Sequence, residues 1–97
     1  MYIIRGAARA KRGHTGDVIR ILKENVKSLD SDLNIRILIN VFGDSDLVVG
    51  ELAFETMQEA TASMEKGFDD TWETVITEGG WFDVTTGNVI EMWKVVS

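Results

Sequence analysis

The stretch Leu33–Phe54, LNIRILINVFGDSDLVVGELAF, constrains the fold more than any other part of this 97-residue chain. Leu33, Ile35, Ile37, Ile39 and Val41 fall on one side of an extended backbone, and Asn34, Arg36, Leu38, Asn40 and Phe42 on the other. A period of two over this length belongs to a pleated strand, not to a helix. Gly43-Asp44-Ser45-Asp46 then brings turn chemistry: side chains that bond their own backbone and a residue tolerant of positive φ. Val48, Gly50, Leu52 and Phe54 alternate with Leu47, Val49, Glu51 and Ala53 on the way back. The segment predicts the central hairpin of a small sheet.

The flanking segments alternate between the two periods. Met1–Ala10 reads as a strand, with Tyr2, Ile4, Gly6 and Ala8 on one face and Ile3, Arg5, Ala7 and Arg9 on the other. After a basic loop, Lys11–Thr15, apolar residues recur at spacings of three and four: Val18, Ile19, Leu22, Val26 and Leu29. This predicts a helix over Gly16–Ser28, capped by the Thr15 hydroxyl and ended by Asp30-Ser31-Asp32. Glu55–Ile76 returns to helical spacing, with Thr56 and Glu59 placed as a capping box. Its apolar stripe is Met57, Ala60, Met64, Phe68, Trp72 (or Thr71), Val75 and Ile76, and Glu65, Asp69, Asp70 and Glu73 face outward. Gly67 lies inside this stretch and marks a kink, a break or a close contact. Glu78-Gly79-Gly80 stops the helix. Thr85-Thr86-Gly87-Asn88 reads as a turn before a last strand, Val89–Val96, on which Phe82–Val84 could fold back.

Composition narrows the function classes. Apolar residues make up 44% and charged residues 27%, the balance of one globular domain covering residues 1–97. There is no cysteine, so disulfides, a thiol nucleophile and thiolate metal sites are excluded, and no proline, so X-Pro isomerisation is too. The net charge is −6, split into +4 over residues 1–36 and −10 over residues 37–97. An acidic surface argues against a nucleic-acid binder. The basic cluster Arg5, Arg9, Lys11 and Arg12 reads as a solvated loop, with an anion or an acidic patch on a second subunit as the sharper alternatives. The N-terminal MYIIRGAARAKRG has its charge after a short apolar run, the reverse of a secretory signal, and no segment reaches the length of a membrane span. The expectation is a cytoplasmic protein with no membrane contact.

The order βαββαβ implies an α+β domain of ferredoxin-like arrangement, two helices on one face of a four-stranded antiparallel sheet. The other face would then carry Ile3, Arg5 and Ala7; Asn34, Arg36, Leu38, Asn40 and Phe42; Leu47, Val49, Glu51 and Ala53; and either Val89, Glu91, Trp93 and Val95 or Ile90, Met92 and Lys94. That mixture is too apolar for water and too polar for a dry core, which suits a face covered by another sheet. On element order, length and face pattern, the chain resembles the dimeric α+β barrel superfamily, in which two such subunits pack sheet to sheet. The group includes antibiotic-biosynthesis-type and quinol monooxygenases, haem-degrading enzymes and stress-responsive barrel proteins.

The resemblance implies a homodimer enclosing a lumen that binds, or oxidises without a cofactor, a small apolar or aromatic molecule. Arg5, Asn34, Arg36, Asn40 and Glu51 share the face in question, and Trp93 supplies flat apolar area if it points the same way. In this reading Glu51 is the catalytic base, deprotonating an activated substrate that itself reacts with oxygen, and Arg5, Asn34, Arg36, Asn40 and Trp93 bind the ligand. The competing reading is a non-catalytic structural or regulatory dimer in which the same groups are interfacial hydrogen bonds and ion pairs. Of the other tryptophans, Trp72 fits the core and Trp81 an interface or lid.

Other chemistries fit less well. The haem-degrading relatives carry their axial histidine on or near the second helix, and the single histidine here, His14, precedes the first. With one histidine and no cysteine, a metal site would fall to carboxylates, and Asp44 and Asp46 read as turn formers, so no metal or cofactor is expected. Acylphosphatases share the arrangement and use an arginine and an asparagine, for which Arg12 and Asn40 are the counterparts. The glycine-and-glutamine signature of their phosphate loop is missing.

Overall fold

A computed structural model describes residues 1–29, 33–43, 46–67 and 80–97. The chain runs β1 (Tyr2–Ala10), α1 (Thr15–Leu29), β2 (Arg36–Ile39), β3 (Leu47–Phe54), α2 (Met57–Gly67), a single-turn helix α3 (Trp81–Val84) and β4 (Thr85–Lys94). All neighbouring strands pair antiparallel, in the order β2-β3-β1-β4. The fold is ferredoxin-like, as the element order implies. Among the described residues no helix is long and apolar enough to cross a membrane.

The alternation of β1 and β3 decides which face the helices cover. Ala8 and Ala10 of β1 and Val48 of β3 pack with Val18 and Ile21 of α1 and with Trp81 and Val84 of α3. Leu52, Phe54, Val26 and Ala60 form a second cluster, flanked by Tyr2, Ile4, Leu33, Ile35 and Met92. Every β1 and β3 residue in these clusters sits on the face that the period of two assigns to the core.

Helix α1 starts one residue before the expected boundary. The His14 carbonyl accepts the first helical bond from the Val18 N–H at 3.1 Å, so His14, not Thr15, holds the capping position. Its Nδ1 lies 2.9 Å from an Asp17 carboxylate oxygen. The buried stripe also shifts toward Ile21 and Asn25, both almost fully covered. At α2 half of the capping box forms: the Glu59 N–H donates to the Thr56 hydroxyl at 3.1 Å, and the Glu59 carboxylate accepts from that hydroxyl at 3.2 Å in place of the Thr56 backbone N–H. Met57, expected in the apolar stripe, is exposed, because the capping turn swings the first helical residue away from the sheet. The described helix ends at Gly67. Phe68, Asp69, Asp70, Thr71, Trp72, Glu73, Val75, Ile76, Glu78 and Gly79 lie outside the described residues, as do Asp30-Ser31-Asp32, Asp44 and Ser45.

Three expectations on the strands are corrected. β2 spans only Arg36–Ile39, because β3 offers it ladder partners only from Val48 to Glu51. Beyond Asn40 the chain leaves the sheet, and Val41 and Phe42 stand 94% and 98% exposed at the hairpin tip. The turn at Thr85–Asn88 does not form: β4 starts at Thr85 and pairs Gly87 with Arg9 and Asn88 with Ala8. The ladder offered by β1 overrides the local turn residues, and the irregularity survives as a register shift between Arg9 and Ala10. Nor do residues 82–84 fold back as a strand. They belong to α3, entered through Gly80 at φ 77°, with the Thr85 hydroxyl donating to the Trp81 carbonyl at 2.8 Å.

Candidate functional site

Strand register brings most of the expected residues onto the face turned away from α1, α2 and α3, which is helix-free among the described residues. Glu51 of β3 is paired with Arg36 of β2 and Arg5 of β1, and Arg5 is paired in turn with Glu91 of β4. Directly opposed residues in an antiparallel pair hold their Cβ atoms about 4.5–5.5 Å apart on one face. A row of alternating charge, Arg36–Glu51–Arg5–Glu91, therefore crosses the whole sheet. Within it Arg36 donates from Nε to Glu51 Oε1 at 3.1 Å, and its Nη2 closes on the same oxygen. The Glu51 side chain is 16% exposed against 73% for Arg36, so the carboxylate is the covered partner.

Apolar residues flank the row. Leu38, Val49, Ala7 and Val89 form the next rank across all four strands, and Ile3 is paired with Ala53 and Trp93 on the other side. The pairing of Ile3 with Trp93 settles the open face of β4: Val89, Glu91 and Trp93 look away from the helices, and Ile90 and Met92 toward them. Leu38, Val89 and Trp93 are each about half exposed. Asn34 is exposed ahead of β2, and the Asn40 amide lies at the hairpin tip, 3.8 Å from where a Cβ on Gly43 would stand. Thus Arg5, Arg36 and Glu51 come together, Trp93 shares their face, and the two asparagines lie beyond the ends of β2.

The cavity lies on the other side of the sheet. An apolar cleft of about 120 Å³ opens between the helices and the strands, floored by Gly6, Ala8 and Gly50 and walled by Leu22, Met64 and Trp81. Among the described residues its polar groups are neutral: Asn25 of α1, Ser63 of α2 and Asn88 of β4. Gly6 and Gly50 are register partners, but they differ in what lies above them. A Cβ on Gly50 would stand 2.9 Å from Ile35 Cδ1, whereas one on Gly6 would meet nothing within 4 Å among the described residues. Any side chain at Gly50 must move Ile35; among the described residues nothing stands in its way at Gly6.

Trp81, expected at an interface or lid, is 2% exposed and joins the core while forming one wall of the cleft. The sequence did carry signals for this site. Asn25 interrupts the apolar stripe of α1, and two glycines sit mid-strand on the core face, where glycine weakens a strand and marks close approach or a gap. Of the remaining candidates, His14 and Arg12 are exposed in the loop before α1 and at its start. Among the described residues no three histidine, aspartate or glutamate side chains gather as metal ligands.

No protein-family model and no curated protein matches the sequence. Solved structures match the fold over the whole chain. An uncharacterised NIPSNAP domain protein from Burkholderia xenovorans superposes with a TM-score of 0.75 at 13% identity, covering 100% of this chain and 96% of that one. A NIPSNAP family protein of unknown function from Agrobacterium tumefaciens gives 0.71 at 16% identity, covering 98% and 87%. A protein from Nitrosomonas europaea provisionally described as an antibiotic biosynthesis monooxygenase gives 0.65 at 18% identity, covering 100% of both chains. At these identities the likeness is one of fold: the chain shares the ferredoxin-like fold of the NIPSNAP and antibiotic-biosynthesis-monooxygenase proteins.

Proposed function

We propose that this protein binds a small, mainly apolar molecule, about one aromatic ring in size, in the cleft between its helices and its sheet. It does so as a cytoplasmic homodimer whose two helix-free faces pack together. The observation that carries the ligand reading is the cleft itself, about 120 Å³ with a mainly apolar lining, in which a Cβ on Gly6 would meet nothing within 4 Å among the described residues. An apolar cavity of about 150 Å³ stays dry and takes up benzene, so a cleft of this size and lining suits a ligand of that class. Asn25, Ser63 and Asn88 add neutral hydrogen-bonding groups that suit a phenol or quinol hydroxyl.

Phenol titrated into the protein is expected to shift the Trp81 indole N–H resonance saturably. Gly6→Leu, which places a branched side chain in the open space, is expected to abolish that shift with the circular dichroism unchanged. Saturable shifts of equal size in Gly6→Leu would overturn the reading, as would none in the wild type.

A second reading adds catalysis, and the fold shared with the Nitrosomonas europaea protein supports it. Glu51 would take a proton from a quinol-like substrate that reacts with molecular oxygen in the lumen between two sheets. Arg5, Asn34, Arg36, Asn40 and Trp93 would bind that substrate. In this case Glu51→Gln stops oxygen uptake with a quinol while the mass stays that of two chains. If the wild type consumes no oxygen and the substitution only weakens association, Glu51 is structural.

A further inference from the structure

The row Arg36–Glu51–Arg5–Glu91 reads plus, minus, plus, minus across β2, β3, β1 and β4. Resting on the sheet-to-sheet dimer proposed above, we infer that this row selects how two copies meet: about a two-fold axis parallel to the strands. Such an axis reverses the row. Arg36 then faces the partner subunit's Glu91, and Glu51 faces the partner subunit's Arg5, so each of the four charges meets its opposite. An axis running along the row instead sets Arg36 against the partner subunit's Arg36 and Glu51 against the partner subunit's Glu51. Like charges brought together in a desolvated interface are strongly unfavourable, so the row disfavours the second arrangement.

The sheet edges agree. β2 and β4 are the two edges and run in opposite directions. Rotation about a strand-parallel axis keeps strand direction and lays each β2 beside the partner subunit's β4, antiparallel. Both exposed edges gain a neighbour of the sense that closes a barrel. The flanking rank also fits: Leu38 falls over the partner subunit's Val89 and Val49 over the partner subunit's Ala7, so that Leu38 and Val89, both about half exposed in one subunit, are covered.

Two charge swaps that keep the net charge test this. Arg5→Glu with Glu51→Arg turns the row into plus, plus, minus, minus, which still meets its opposite when reversed. Arg5→Glu with Glu91→Arg turns it into plus, minus, minus, plus, which meets itself. Within one sheet the first swap creates two like-charge neighbours and the second only one, so an effect confined to the subunit ranks them the other way. By sedimentation equilibrium the first swap is expected to stay within about tenfold of the wild-type dissociation constant, and the second to weaken it at least ~100-fold.

Equal or tighter association in the second swap overturns the axis. A single-chain mass for the wild type at micromolar concentration overturns the dimer and the axis with it. Because the chain has no cysteine, crosslinking gives an independent answer even where a swap fails to fold. A 1:1 mixture of Leu38→Cys and Val89→Cys chains is expected to join through a short bismaleimide spanning the roughly 10 Å between packed sheets. Joining of Leu38→Cys chains to one another instead overturns the axis.

Discussion

Replacing Trp81 by alanine is expected to destabilise the subunit by about 3–5 kcal/mol, the range for truncating a buried large aromatic. The side chain is 2% exposed and packs among Ala8, Ala10, Val18, Ile21, Val48 and Val84. Ala8 and Ala10 are too short to reach into the space an indole leaves, and Val18 and Val48 are held in place by α1 and β3. The void would also merge with the cleft it walls, removing contacts from two sides at once. For a domain whose total stability is on the order of 5–15 kcal/mol, the loss is a large fraction. Urea unfolding followed by circular dichroism measures it: with a slope of about 1–3 kcal/mol per molar, the midpoint falls by 1 M or more. A loss below about 1 kcal/mol, at the low end for any core truncation, would return Trp81 to the role of a lid residue.

Gly50→Val and Gly6→Ala are expected to act in opposite directions, although the two glycines are partners in one ladder. At Gly50 the first added carbon would stand 2.9 Å from Ile35 Cδ1 and 3.8 Å from Leu22 Cδ1. A valine there must displace Ile35 and then α1, and overpacking of this kind costs about 1–3 kcal/mol. At Gly6 a methyl group meets nothing within 4 Å among the described residues, and the change reduces the freedom of the unfolded chain. A gain of about 0.4–1 kcal/mol is expected there. Thermal unfolding of the two single variants measures both signs. If Gly50→Val were as stable as the wild type, Ile35 would have another place to go, and the contrast between the two ends of the cleft floor would fail.

The helix-free face was legible in the sequence because side-chain alternation is a backbone property. Once Ile4, Ala8, Val48 and Leu52 point to the core, Arg5, Ala7, Val49 and Glu51 must point away. The same logic reached Arg36 through the hairpin. It could not reach Trp93, because a strand that joins the sheet from the far end of the chain has no turn to set its register, and one residue of slip reverses its faces. Pairing of Ile3 with Trp93 and Ala7 with Val89 decides that question. The cleft was hidden for a related reason. Gly6 and Gly50 are 44 residues apart in the chain, and only the β1–β3 ladder makes them neighbours.

By itself, then, the sequence determined the period of each segment, the Thr56 cap on the Glu59 N–H, the absence of thiol chemistry and the βαββαβ order. These depend on residues close together in the chain, where propensity, alternation and spacing act directly. Only the tertiary structure decided that β4 runs through Gly87 and Asn88, that Trp81 enters the core, and that four charges align across four strands. It also decided that a side chain at Gly50 would meet Ile35, while one at Gly6 would meet nothing within 4 Å among the described residues. Each of these is a contact between distant segments, and its energy comes from ladder bonds and apolar burial that no local window contains.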